Sequence, residues 1–231
     1  MGIIIFIGIA IVSFLVQSRF KSKFRGYSET PLSSGMSGRD IAEKMLHDHG
    51  IHDVKILSSE GSLTDHYNPA DRTVNLSPEV YSGRSIAAAA VAAHECGHAV
   101  QHAKAYSWLQ LRSAMVPVVN IASNLLQYVF MFLVFMSFSA MGEPMLWIAL
   151  CAMMVVTVFS VITLPVEFDA SNRALAWLQN NKSIMHTSIE LTQSKAALWW
   201  AAMTYVVAAL GSVIQLIYLA LTVFGIGRSD D

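Results

Sequence analysis

Charge, cysteine and proline are all scarce in this chain. Of its 231 residues only 13% are charged, two are cysteine, six are proline, and the formal net charge is −1. So low a charged fraction excludes an ordinary soluble domain, in which about 25% of residues carry charge. The two cysteines, Cys96 beside a histidine cluster and Cys151 inside an apolar run, exclude a disulfide framework. No basic patch is interleaved with aromatics, so no nucleic acid is expected as a partner. There is no internal repeat, and the one biased tract is an alanine run ahead of His94.

Apolar residues fill the space that charge leaves, at 54% of the chain. Four runs, 2–17, 114–141, 145–166 and 199–226, are long enough to cross a hydrocarbon core about 30 Å thick. No basic residue precedes the first run, no small-residue cleavage site follows it, and "SRFKSKFR" comes directly after. It reads as a retained anchor, not a cleaved signal peptide. Eleven of the fifteen Lys and Arg residues lie between Arg19 and Arg112, and Arg173, Lys182 and Lys195 lie between the third and fourth runs. Basic loops stay cytoplasmic, so both segments are expected on the cytoplasmic side of a multi-pass cell-membrane protein. "GEP", after the second run, is expected to be a tight external turn.

The fold expected is mostly α and integral to the membrane: about four transmembrane helices plus a small cytoplasmic α+β region with a short antiparallel sheet. Its parts are an anchor at 1–17, a cytoplasmic region at 18–112, and a membrane domain at 113–231 holding a cytoplasmic helical segment at 167–195. Within 18–112, "YSETPLSSGMSG" reads as a polar linker and "RDIAEKMLHDHG" as a helix stopped by Gly50. "DVKIL", "LTDHY" and "RTVNLS" read as strands, and residues 85–106 as one long helix. Asn120, Ser123, Asn124 and Gln127 recur at three- and four-residue spacing, predicting one interior face of the second span.

The chemistry lies in "AAAAVAAHECGHAVQHA". Residues four apart on a helix stack one above the other, so His94 and His98 can grip a single zinc ion. Glu95, offset by one residue, is placed to take a proton from water and act as general base. Cys96 points away from the shared face and is expected to pack. His102 lies about 12 Å from His94 along the axis, too far to join the same ion, and is expected at the rim or supporting a ligand. A third ligand must come from elsewhere, and Glu167 in "LPVEFDASNRAL" fits. A carboxylate at the end of a span is unfavourable unless paired or coordinated. Asp169 would face another direction. His52, His66 and His186 have no partner at chelating spacing, and His49 and His52 are expected to be solvated.

"VAAHECGHAVQ", "DHYNPADRTVNLSPEVYSGRSIAAAAVAAHE", "LPVEFDASNRALAWL" and "ALWWAAMTYVVAAL", in this order, resemble the bacterial membrane zinc metallopeptidases of the YugP type. In outline these are similar to the integral-membrane gluzincins, which include the heat-shock protease HtpX and the CAAX prenyl protease. The resemblance implies a zincin-like fold, Zn2+ held by His94, His98 and Glu167, and Glu95 as catalytic acid/base. That wider group usually has an aspartate four residues after the ligand glutamate, where this chain has Ser171, which leaves Asp169 or Asn172 as substitutes for supporting a ligand histidine.

The activity expected is hydrolysis of peptide bonds in a membrane-associated protein or peptide, with a catalytically silent membrane scaffold or chaperone that retains the metalloprotease fold as the alternative. Arg173, His186 and Tyr106 are candidates to stabilise the oxyanion. "LTDHYNPADRTVNL" is the candidate wall on which a peptide adds as an extra strand.

Overall fold

The computed structural model describes residues 2–135 and 142–225. It is mostly helical, with four helices long and apolar enough to cross a membrane. Helix α1 is Gly2–Ser28, α5 is Ser107–Phe135, α6 is Gly142–Asn180 and α7 is Ser188–Val223. Between α1 and α5 lie α2 (Gly38–Asp48), β1 (Lys55–Ser58), β2 (His66–Asn68), β3 (Thr73–Leu76), α3 (Pro78–Tyr81) and α4 (Ile86–Ala103). The chain forms two compact units, one of 15–110 with 165–204, the other of the described residues within 1–14, 111–164 and 205–231.

In the first unit the core forms where α2 lies on α4. Ile41, Ala42, Met45 and Leu46 of α2 are buried, as are Ala87, Ala88, Ala89, Ala90, Ala92, Ala93 and Cys96 of α4. Alanine side chains end at Cβ, which lets the neighbouring helix come close without leaving cavities. Helix α2 begins at a capping box: Ser37 Oγ accepts from the Asp40 N–H, and the Asp40 carboxylate accepts from the Ser37 N–H. The stretch read as a linker is part of this packing, since Leu32 is buried and Pro31 bridges to Ser85.

The three expected strands form, but the sheet is mixed, not antiparallel. Its order is β1-β3-β2, with β1 parallel to β3 and β2 antiparallel to β3. The reason is connectivity: β2 and β3 form a tight hairpin, and β1, entering on the other side of β3, reaches it only through the segment that holds β2. The central strand takes the burial, with Val74 and Leu76 fully enclosed.

Several expected boundaries shift. The anchor continues as one helix through "SRFKSKFR" to Ser28. Pro165 lies inside α6 and does not end it. The long helix stops at Ala103, and Ala105 turns the chain with φ of 50°. "GEP" begins α6 and is not a turn; the link before it, the end of the second span at 136–141 and the last residue of the fourth, Ile226, lie outside the described residues.

In the second unit the polar row of α5 is not interior. Asn120, Ser123, Asn124 and Gln127 are exposed, whereas Ala122 and Val129 are buried and Met115, Val119 and Leu126 partly so. At 100° per residue the two sets lie on opposite sides of the helix.

Candidate metal centre

Helix α4 starts at Ser85, whose Oγ accepts from the Ala88 N–H at 3.2 Å, and this cap sets the register that carries the histidines. His94 and His98 follow one turn apart, ring centroids 4.9 Å from each other and planes at 81°. Glu167 on α6 meets both: its Oε2 is 3.3 Å from His94 Nε2 and 3.6 Å from His98 Nε2. One ligand atom from each of the three lies within 4.8 Å of the others, the single such grouping among the described residues. Two donors each about 2.1 Å from a tetrahedral zinc stand about 3.4 Å apart, so the carboxylate–imidazole separations fit that ion.

A glycine permits the approach. A Cβ built on Gly97 would stand 2.5 Å from the Ala170 carbonyl oxygen and 3.1 Å from two further backbone atoms of Ala170. Only a residue without a side chain lets α4 and α6 come this close between the two histidines.

The outer nitrogens of both rings are engaged, which leaves Nε2 of each turned to Glu167. Ser171 Oγ lies 3.1 Å from His94 Nδ1, so the residue that departs from the aspartate pattern itself occupies the supporting position. Gln101, fully buried, places Oε1 3.0 Å from His98 Nδ1. Its Nε2 donates to the Val166 carbonyl and to Asp169 Oδ2, each at 2.8 Å. Two acceptors around that nitrogen fix which way the amide faces, so Oε1 accepts and His98 Nδ1 carries the proton. With Nδ1 protonated, Nε2 is the nitrogen left to offer a lone pair to a metal in place of the proton it shares with Glu167. Asp169 acts one step out and also accepts from Arg173 Nε.

Burial alone would lower the pKa of His98, but hydrogen bonding and charge from Glu167, with Glu95 and Gln101, outweigh it and raise it. Glu95 is buried, which pushes its carboxyl above the usual range; His94 and His98 oppose that rise, while Glu167 and Asp65 add to it. Its carboxylate makes no hydrogen bond to another described residue. The site therefore holds three convergent donors and, outside that set, the buried Glu95 carboxylate, a pattern suited to metal-assisted hydrolysis.

The remaining histidines lie elsewhere. His102 Nδ1 is 2.7 Å from Tyr67 Oη and so ties α4 to β2, beside a cavity of about 320 Å³ that Tyr67, Arg72 and Ala99 help to line. His66 Nδ1 contacts the Thr64 carbonyl, His49 Nδ1 the Met45 carbonyl and His186 Nε2 the Ser183 carbonyl, while His52 stacks edge-on with His47. Arg173, bound to Asp169, also lies over the Tyr106 ring at 5.7 Å, so two of the oxyanion candidates are engaged with each other. Cys96 is buried with Sγ toward the Ala42 carbonyl, and burial pushes its thiol pKa far up, which makes it inert. Asn172 makes no hydrogen bond among the described residues.

Residues 2–224 match the family described as "Putative neutral zinc metallopeptidase". The chain belongs to this family. It is 38% identical over 221 residues, 95% of each chain, to the "Putative membrane protease YugP" of Bacillus subtilis (strain 168). No solved structure matches. The family's name, the donor set and the four apolar helices agree on a membrane protein of zinc-peptidase type.

Gly97, Gln101 and Ser171 escaped the sequence reading as members of the site. A signal existed for Gln101, which falls three residues after His98 and hence on the same side of α4. None existed for Gly97, whose need appears only once α6 lies across it.

Proposed function

We propose that the chain is a zinc-dependent metalloendopeptidase of the cell membrane that hydrolyses peptide bonds at the cytoplasmic face. The observation that carries this reading is the convergence of His94, His98 and Glu167 beside a buried Glu95 outside the donor set. His94, His98 and Glu167 would hold the ion. Zinc, when bound, lowers the pKa of water toward about 7 and polarises a carbonyl. Glu95 accepts the proton as the water oxygen attacks the scissile carbonyl, and returns it to the leaving amine as the C–N bond breaks. Gln101 and Ser171 act as positioning residues, holding each imidazole with Nε2 inward.

An extended peptide adds along β2, an edge of the sheet tied to α4 through Tyr67 and His102. Backbone pairing selects flexible or unfolded segments with little regard to sequence, and membrane anchoring of the substrate raises its effective concentration at the site. The cytoplasmic orientation is supported by fourteen of fifteen Lys and Arg residues falling in 19–112 and 173–195.

The test is Glu95→Gln beside Glu167→Ala in the purified full chain, with zinc content and peptide cleavage measured on both. The expected result is full zinc with cleavage reduced ~10²- to 10⁴-fold for Glu95→Gln, and loss of both zinc and cleavage for Glu167→Ala. Should Glu95→Gln cleave as fast as wild type, the hydrolytic reading fails and the scaffold takes its place.

A further inference from the structure

The polar row of α5 is the feature that the proposed chemistry does not use. The second apolar run, 114–141, has Gln127 near its midpoint and Asn120 about 11 Å before that point. Both depths lie inside a hydrocarbon core that extends about 15 Å from the bilayer centre. An amide exposed to lipid at that depth has no water to bond. Asn120, Ser123, Asn124 and Gln127 nonetheless face away from the packed side of α5, and none of their side chains makes a hydrogen bond among the described residues.

Other polar groups in this unit show what satisfaction looks like. Ser160, Thr163, Ser212 and Thr222 donate to carbonyls of their own helices, and Thr157 donates to the Ser212 carbonyl on α7. Asparagine and glutamine carry two donors and an acceptor each and need a neighbouring helix that offers both. No other apolar run of this chain carries two amide side chains.

We infer that a second copy of the chain covers this face, with α5 packed on α5 about a two-fold axis normal to the membrane. Copies in one membrane share their orientation, so the two α5 helices run parallel in register and each residue of the row meets its own counterpart at equal depth. An amide is its own complement: the carbonyl oxygen of one Asn124 accepts from the NH2 of the other, and the same holds at Asn120 and Gln127. The row is uncharged, so self-association brings no like charges together, and Ser123 is small enough for the backbones to approach. This inference is independent of zinc and of catalysis.

The experiment uses the full chain in native membranes in a Cys151→Ser background, which leaves Cys96 buried and inert. Asn124→Cys under mild oxidation should give a cross-linked species at twice the chain mass of 25.3 kDa. Ile121→Cys, on the flank of the row, should give far less. Energy transfer between two differently labelled copies in vesicles should show self-association weakened at least about tenfold by Asn120→Leu with Asn124→Leu and Gln127→Leu, at unchanged helix content. Absence of the dimer at residue 124, equal cross-linking at 121 and 124, or cross-linking to a different protein overturns the inference. So does labelling of the thiol at 124 in sealed vesicles by a water-soluble maleimide, which would make the row the wall of an aqueous path.

Discussion

Replacing Gly97 by alanine sets two physical effects against each other. Intrinsic propensity favours the change, because alanine stabilises a helix interior by about 0.8 to 1.0 kcal/mol relative to glycine. Packing opposes it. The new Cβ would meet the Ala170 carbonyl oxygen at 2.5 Å, where ordinary contact begins at 3.4 Å, so α4 and α6 must part locally by 3.4 − 2.5, about 0.9 Å. Overpacking of this kind costs about 1 to 3 kcal/mol, so net stability should fall by no more than about 2 kcal/mol and the protein should still fold.

The candidate metal site has no such margin. Ligand distances are held within about 0.2 Å in a working zinc site, and the Glu167 oxygen now stands 3.3 and 3.6 Å from the two Nε2 atoms. Opening that gap by most of an ångström pulls the carboxylate from the ion or leaves it poorly aligned. Zinc affinity should therefore fall by about 10- to 100-fold. The assay is zinc retention against a graded series of chelators, with thermal melting in the same detergent. Gly26→Ala, within α1 and with a Cβ that would meet nothing within 4 Å, is the control: it should leave zinc affinity unchanged and raise the melting temperature slightly by propensity alone. Undiminished zinc affinity in Gly97→Ala would refute the close-approach argument, whatever happened to the melting temperature.

Gln101→Met keeps the volume of the side chain but removes the acceptor from His98, and zinc should dissociate about 10- to 100-fold faster than from wild type. Equal dissociation rates would show that the Gln101 amide does not orient the ring. The pH dependence carries a definite sign: burial raises the Glu95 pKa, and the base works only as carboxylate, so kcat/KM should fall with decreasing pH. A kcat/KM that stays level as the pH falls through the carboxylate range contradicts the role. Topology is tested by a thiol introduced at Asp71, which an impermeant reagent added to intact cells should leave unlabelled until the membrane is opened.

What could be read from sequence and what could not divide along one physical line. Spacing within a single helix is set by its 3.6-residue repeat, so the pairing of His94 with His98, the offset of Glu95 and the distance of His102 all follow without any tertiary information. Glu167 was legible for a different reason: burying a charge near a span end is costly enough to demand an explanation, and coordination supplies one. Gly97 and Ser171 depend on how α6 crosses α4, which no local pattern encodes. The sheet fails similarly, since alternation marks strands but not whether β1 runs with β3 or against it.

The α5 row shows the same limit most sharply. Three- and four-residue spacing correctly placed Asn120, Ser123, Asn124 and Gln127 on one side of a helix, but spacing says nothing about which way that side faces. In water the question answers itself, because polar residues turn outward and apolar ones inward. In lipid both surroundings of a helix are apolar, so polarity stops indicating direction and indicates only that a partner is required. An interior row requires that the partner lie within the same chain. With Ala122 and Val129 taking the packed side, the same residues and the same energetic demand point outward. An amide without a partner in lipid costs the same whichever way it faces, and only the neighbour that relieves the cost differs.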